Sequence, residues 1–151
     1  MQRYTMQGIL LGVIIGIAVG VGVYTFAYAQ GWSYLTDNPA ACANCHVMSE
    51  QYEGWLKSSH RAVATCNSCH TPANLIGKYA TKASNGFWHS FFFTTGGHPD
   101  NIQIKPHSRD ITEQTCRNCH GEIVGAIAPP HPALAGGQVT CLRCHNSVGH
   151  L

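Results

Sequence analysis

Hydrophobic and polar positions are unevenly divided along this chain. From Gly8 to Ala29 there are 22 residues without a charge, and the apolar run Ile9 to Val23 is broken only by glycines. About 20 such residues cross a bilayer as a helix, so the pattern predicts one N-terminal transmembrane anchor within residues 1–29. A cleaved secretory leader competes with that reading, because Ala27-Tyr28-Ala29 has a small-x-small form. The run is longer than the roughly 7 to 15 apolar residues of a leader, and only Arg3 precedes it, which favours an uncleaved anchor. Arg3 is also a single vote for a cytoplasmic N-terminus. Gly8, Gly12, Gly16 and Gly20 recur at every fourth position. They share one helix face on which a second copy of the anchor can approach closely.

Beyond the anchor the pattern breaks into short pieces. Trp32 and Tyr34 suit a membrane interface, where amphipathic rings settle. Asp37-Asn38-Pro39 reads as a turn that starts a helix, and short helices are expected over Gln51 to His60 and Asn74 to Phe93. The second of these carries Phe87, Trp88, Phe91, Phe92 and Phe93. That aromatic patch has two open readings, packing against a flat cofactor or resting in the membrane interface. Gly and Pro punctuate the rest, as in Gly96-Gly97-His98-Pro99 and Ala128-Pro129-Pro130-His131-Pro132. Residues 30–151 offer too little apolar sequence for an ordinary side-chain core.

The cysteines say what could replace that core. Every cysteine belongs to one of four Cys-x-x-Cys-His motifs: Cys42, Cys45, His46; Cys66, Cys69, His70; Cys116, Cys119, His120; and Cys141, Cys144, His145. This is the attachment pattern of c-type haem, two thioethers plus an adjacent histidine for the iron. A zinc ribbon also uses paired Cys-x-x-Cys, but it does not require the histidine that follows all four pairs here. Four haem c groups are expected, enclosed by short helices and loops, and the fold class is mainly α. Motif starts are spaced 24, 50 and 25 residues apart, which reads as two dihaem units of similar size at about 40–70 and 114–150.

Charge adds one exclusion. The chain has a formal net charge of +2 with only 11% charged residues, and its lysines and arginines are scattered singly. No basic stripe supports nucleic-acid binding. Haem c is attached outside the cytoplasmic membrane in bacteria, so residues from about 30 onward are expected in the periplasm and the anchor in the inner membrane.

The iron ligands beyond the motifs are less determined. His60, His89, His98, His107, His131 and His150 remain, and Met48 directly follows the first motif in Cys42-Ala-Asn-Cys45-His46-Val47-Met48. A thioether there is either a packing residue or an axial ligand. The anchor, the four motifs in order, the Cys-x-x-Cys-His-x-Met sequence and the segment Lys78 to Phe93 together resemble the NapC/NirT family of membrane-anchored quinol dehydrogenases. Among these the chain is most similar to the small tetrahaem subunits that serve cytochrome c nitrite reductase.

That resemblance implies a set of roles. In such subunits the methionine of the first motif binds the first iron, which gives the role to Met48 and puts His46 in question. The second and third haems are bis-histidine, and the fourth is completed by the catalytic partner. His70, His120 and His145 are then the proximal ligands of the last three motifs. Two distal histidines suffice, and His60, just before the second motif, and His150, five residues past His145, are chosen. Lys82 matches a lysine of the family's quinol site; His89 stands where some relatives have an aspartate, and Lys78 lies one turn before Lys82. Menaquinol is the implied electron donor, the catalytic subunit of pentahaem cytochrome c nitrite reductase the implied acceptor, and membrane lipid the surroundings. Two other readings stay open: a dehydrogenase of the same family feeding a different periplasmic reductase, and a passive multihaem wire without a quinol site.

Overall fold

A computed structural model describes residues 2–99, 101–127 and 140–150. It divides into two compact units, Met1–Ser33 and Tyr34–Leu151. In the first, α1 runs from Gln2 to Tyr28. Its stretch Thr5–Tyr28 is long and apolar enough to cross a membrane. A Cβ added at Gly8, Gly12, Gly16 or Gly20 would meet nothing within 4 Å. The glycine face is therefore open along its length. The chain leaves α1 through Gln30 at φ +51°. At Gly31 a Cβ would stand 2.3 Å from the Phe26 ring, so a larger residue there requires that ring to shift.

The regular elements of the second unit are all helices, with no strand among its described residues. A 3-10 helix, Pro39–Asn44, begins where the Asn38 side chain accepts the Ala40 N–H at 3.0 Å. The expected turn at Asp37-Asn38-Pro39 is thus an N-cap followed by proline, which fits a first helical position because it has no N–H to waste. After a 3-10 turn, His46–Met48, α2 covers Ser49–Lys57. It stops three residues short of the expected His60, and a second 3-10 turn, Ser59–Ala62, carries that histidine. Helix α3, Cys66–His70, is a single turn with a Thr65/Ser68 capping box. Helix α4 runs from Leu75 to Thr95. Asn74 caps its start by accepting the Gly77 N–H at 2.6 Å, and Gly96 ends it at φ +69°, a conformation that glycine adopts freely. Helices α5 (Pro106–Cys119), α6 (Gly121–Ile127) and α7 (Cys141–Cys144) complete the described elements.

The interior of this unit is unusual. No apolar side chain is buried among the described residues; apart from Gly54, the buried positions are polar or charged, namely Ser58, Thr71, Thr81, Lys82, Thr112 and Thr115. Each of these hydroxyls that bonds does so to backbone, as Thr71 Oγ1 does to the Asn67 carbonyl at 2.7 Å and Thr115 Oγ1 to the Cys69 carbonyl at 3.0 Å. The last of these ties α5 to α3, which pack together. Such bonds order a chain without supplying the apolar burial that normally drives folding. The described residues by themselves form no hydrophobic core.

Candidate functional site

The four cysteine motifs occupy three local settings. The first lies in the 3-10 segment Pro39–Asn44 and the turn after it, the second and fourth are the single-turn helices α3 and α7, and the third ends α5. In a helical turn, residues three apart face the same way, so each cysteine pair presents both sulfurs to one side. None of the eight forms a disulfide, and α3, which carries Cys66, packs on the 3-10 segment that carries Cys42. Motifs one and two are therefore neighbours, and α3 on α5 brings motif two beside motif three. A cavity of about 450 Å³ opens between the Pro72–Asn74 turn and the α5 face that carries Ile111, Thr115 and Asn118.

Histidines far apart in sequence come together in two pairs. The rings of His60 and His120 lie 6.2 Å apart, and those of His70 and His150 5.9 Å apart, centroid to centroid. Two imidazoles that share one metal ion through bonds of about 2 Å have centroids roughly 6 Å apart. His60 Nδ1 donates to the Val148 carbonyl at 3.2 Å, and His150 Nδ1 donates to the Gln51 carbonyl at 2.9 Å. Since a carbonyl can only accept, Nδ1 carries the proton in both rings and Nε2 keeps its lone pair for a metal. That is the carbonyl support that orients metal-bound histidines. The spacing and the tautomers both fit haem iron between the members of each pair.

A second cluster gathers at the start of the unit. Asp37 pairs with Lys78 and Lys82 of α4, the latter at 2.9 Å. Asn67 Nδ2 donates to Asp37 Oδ1 at 2.9 Å and to the Thr36 carbonyl at 3.2 Å. Lys82 is 5% exposed, and its ammonium also donates to the Thr36 carbonyl at 2.7 Å. Two of its three N–H donors are thus engaged with protein, which leaves one. The hydrogen bonds from Lys78 and then Lys82 hold the Asp37 carboxyl at about 2, well below its ordinary value.

His89 lies seven residues after Lys82, two turns along the same face of α4. Its Nδ1 is 3.5 Å from the Tyr34 hydroxyl. Burial, and then the charge of Lys105, lower the His89 imidazole below its usual range, while burial raises the Tyr34 phenol. Tyr34 also packs on Gly86, where a Cβ would approach its ring to 3.4 Å. Further along α4, Phe87 and Phe91 stack, as do Trp88 and Phe92, with the Lys105 ammonium 4.7 Å over the Phe92 ring. Phe87, Trp88, Phe91 and Phe93 remain largely exposed.

The other candidates are more scattered. Met48 closes the 3-10 turn that begins at His46, and His46 is exposed beside a polar cavity of about 220 Å³ with Glu50, Gln51 and Asn101. Gln51 Oε1 is buried without a hydrogen-bond partner among the described residues. His145 follows α7 and is exposed. His98 stacks on Phe93, His107 falls in the first turn of α5, and His131 lies outside the described residues. Sequence reasoning took Asp37 for a turn residue and Tyr34 for an interface anchor, and it passed over Glu113. A carboxylate just ahead of the first motif, in a chain with seven acidic residues, was the available signal for Asp37.

The chain is similar to known proteins over most of its length. A cytochrome c-type protein NrfH of Wolinella succinogenes is 34% identical over 136 residues, covering 85% of this chain and 77% of its own. The cytochrome c nitrite reductase subunit NrfH of Nitratidesulfovibrio vulgaris is 29% identical over 117 residues, 77% of this chain and 69% of its own. One chain of the crystal structure of the cytochrome c nitrite reductase NrfHA complex bound to the HQNO inhibitor superposes with a TM-score of 0.67 at 27% identity, over 92% of this chain and 90% of that one. The family described as NapC/NirT cytochrome c, N-terminal region, matches residues 4–151. With its mainly helical fold, apolar N-terminal helix and four Cys-x-x-Cys-His motifs, this chain belongs to the NapC/NirT cytochrome c family.

Proposed function

We propose that this protein is the membrane-anchored quinol dehydrogenase subunit of a cytochrome c nitrite reductase, oxidising menaquinol and delivering electrons through four c-type haems to a periplasmic catalytic subunit. The observation that carries the reading is the likeness, over nine-tenths of both chains, to a chain of the NrfHA complex. The haems, when bound, supply one-electron centres. Cys42, Cys45, Cys66, Cys69, Cys116, Cys119, Cys141 and Cys144 attach them. His70 with His150, and His120 with His60, hold the middle two irons, Met48 serves the first motif and His145 the fourth.

Quinol oxidation releases two protons with its two electrons, so a base must stand near the quinol oxygens. Lys82 donates its remaining N–H to a quinol oxygen. Asp37 binds protons too weakly at about 2 to act as that base. His89, whose imidazole is held below its usual range by desolvation and then by the charge of Lys105, is the base that accepts one. The Tyr34 hydroxyl orients that imidazole, and Lys78 holds Asp37 in place beside Lys82. α1 anchors the protein in the inner membrane, with the haem domain in the periplasm.

Gentle purification from membranes tests this directly. A pentahaem nitrite reductase should co-purify, and the complex should reduce nitrite with menaquinol. Co-purification with a molybdenum or N-oxide reductase instead, or no menaquinol-dependent activity with nitrite, rejects the proposal.

A further inference from the structure

The fourth motif is held by a residue that none of the haem or quinol roles uses. Helix α7 is one turn long, and Thr140 at its N-cap makes no side-chain capping bond. A turn this short has no helix behind it to hold it in shape. Among the described helices α7 packs on α5 alone. From α5, Glu113 reaches across 28 residues of sequence and closes the gap: Oε2 accepts the Cys141 N–H and Oε1 the Leu142 N–H, both at 2.8 Å. The two oxygens of one carboxylate thus cap the first two residues of the fourth motif. Partial burial by itself would raise the Glu113 carboxyl, but the N–H donors of Leu142 and Cys141, and then Arg117, bring it below its usual range. Glu113 lies three residues before Cys116, one turn ahead of the third motif on the same helix.

We propose that Glu113 is a positioning residue that clamps the fourth haem-attachment turn to the helix bearing the third, and so fixes the spacing across which electrons leave the protein. This rests on the reading above that both motifs carry haem. A clamp is needed here more than at the second motif. There, α3 has its own capping box and a hydroxyl bond from Thr115. The tail that follows α7 also supplies the Val148 carbonyl to His60 and the His150 ring to His70. A fourth turn that moves would therefore disturb the supports of the middle pair as well.

The test uses full-length holoprotein in detergent. Glu113→Gln keeps the shape but removes the charge and one acceptor; Arg109→Gln, an exposed position on α5, is the control. Haem content is measured first by pyridine haemochrome. Fewer than four haems in the wild type overturns the functional reading itself, independently of the clamp. With four haems in all three proteins, hydrogen exchange of the segment 140–145 should speed up by roughly tenfold to a hundredfold in Glu113→Gln, as expected for losing charged hydrogen bonds. Exchange of α3 should not change, and one haem should shift its reduction potential. Glu113→Asp, one methylene short, should give an intermediate exchange rate. Exchange of 140–145 in Glu113→Gln equal to that of wild type and Arg109→Gln overturns the clamp. If Glu113→Gln fails to retain four haems, the comparison of Glu113→Asp with wild type decides in the same way.

Discussion

Replacing Asp37 by Asn isolates the ion cluster that joins the first haem peptide to α4. Asparagine keeps the shape and an acceptor oxygen but removes the charge that Lys78 and Lys82 share. The Lys78 pair is solvated on both sides, and such pairs contribute about 0.2–1 kcal/mol. Lys82 is buried while the Asp37 side chain is 49% exposed. Its loss therefore costs less than the roughly 3–5 kcal/mol of a fully buried pair, and about 1–2 kcal/mol is a fair figure. The sum is about 2 kcal/mol near neutral pH. The carboxyl falls from an ordinary 3.8 to about 2 on folding. A depressed folded value means that the stabilisation is present above the ordinary value and is lost as pH falls through about 2. Urea unfolding of wild type and Asp37→Asn holoprotein, followed by circular dichroism between pH about 6 and about 2, reads the difference directly. Other carboxylates titrate in both proteins and cancel. The gap should be about 2 kcal/mol at the upper end and shrink steadily below pH about 4. A gap that is absent at neutral pH, or that persists unchanged in acid, refutes the cluster as an ion-paired clamp.

Other outcomes follow from the same geometry. His150→Ala should turn one haem from low spin to high spin in the electron paramagnetic resonance spectrum while four haems stay attached; an unchanged spectrum removes His150 from the ligand set. Lys82→Leu should lower menaquinol oxidation about a hundredfold while dithionite still reduces the haems. Because Lys82 also bonds Thr36 and Asp37, its stability is measured alongside. Quinol oxidation should fall as the solution is acidified through the His89 value, which lies below the usual histidine range with Tyr34 and Lys105 as its neighbours. His89→Asn should abolish that acid limb, and retention of the limb assigns it elsewhere. Gly12→Ile should separate self-associated anchors in detergent if the open glycine face is a pairing surface.

What the sequence made legible was local. The four motifs, the apolar run of α1, and α4 to within two residues at each end all rest on contiguous signals: cysteine spacing, an uncharged stretch, and an Asn cap with a glycine stop. The structural partners rest on long-range closure. His60 meets a carbonyl 88 positions away, His150 one 99 positions away, and Glu113 caps a turn 28 positions on. No periodicity encodes such pairs, because each depends on how loops return over a unit whose described residues bury no apolar side chain. Asp37 is the plainest example. Its turn was readable from Asn38 and Pro39, but its two lysine partners required α4 to lie across it.

Menaquinol-dependent haem reduction tests the account most directly. Purified full-length protein in lipid vesicles, mixed anaerobically with a menaquinol analogue, should show c-type haem bands that reduce with the quinol as sole electron donor. Reduction by dithionite alone, with no response to quinol at any concentration, contradicts a quinol dehydrogenase and leaves a multihaem wire.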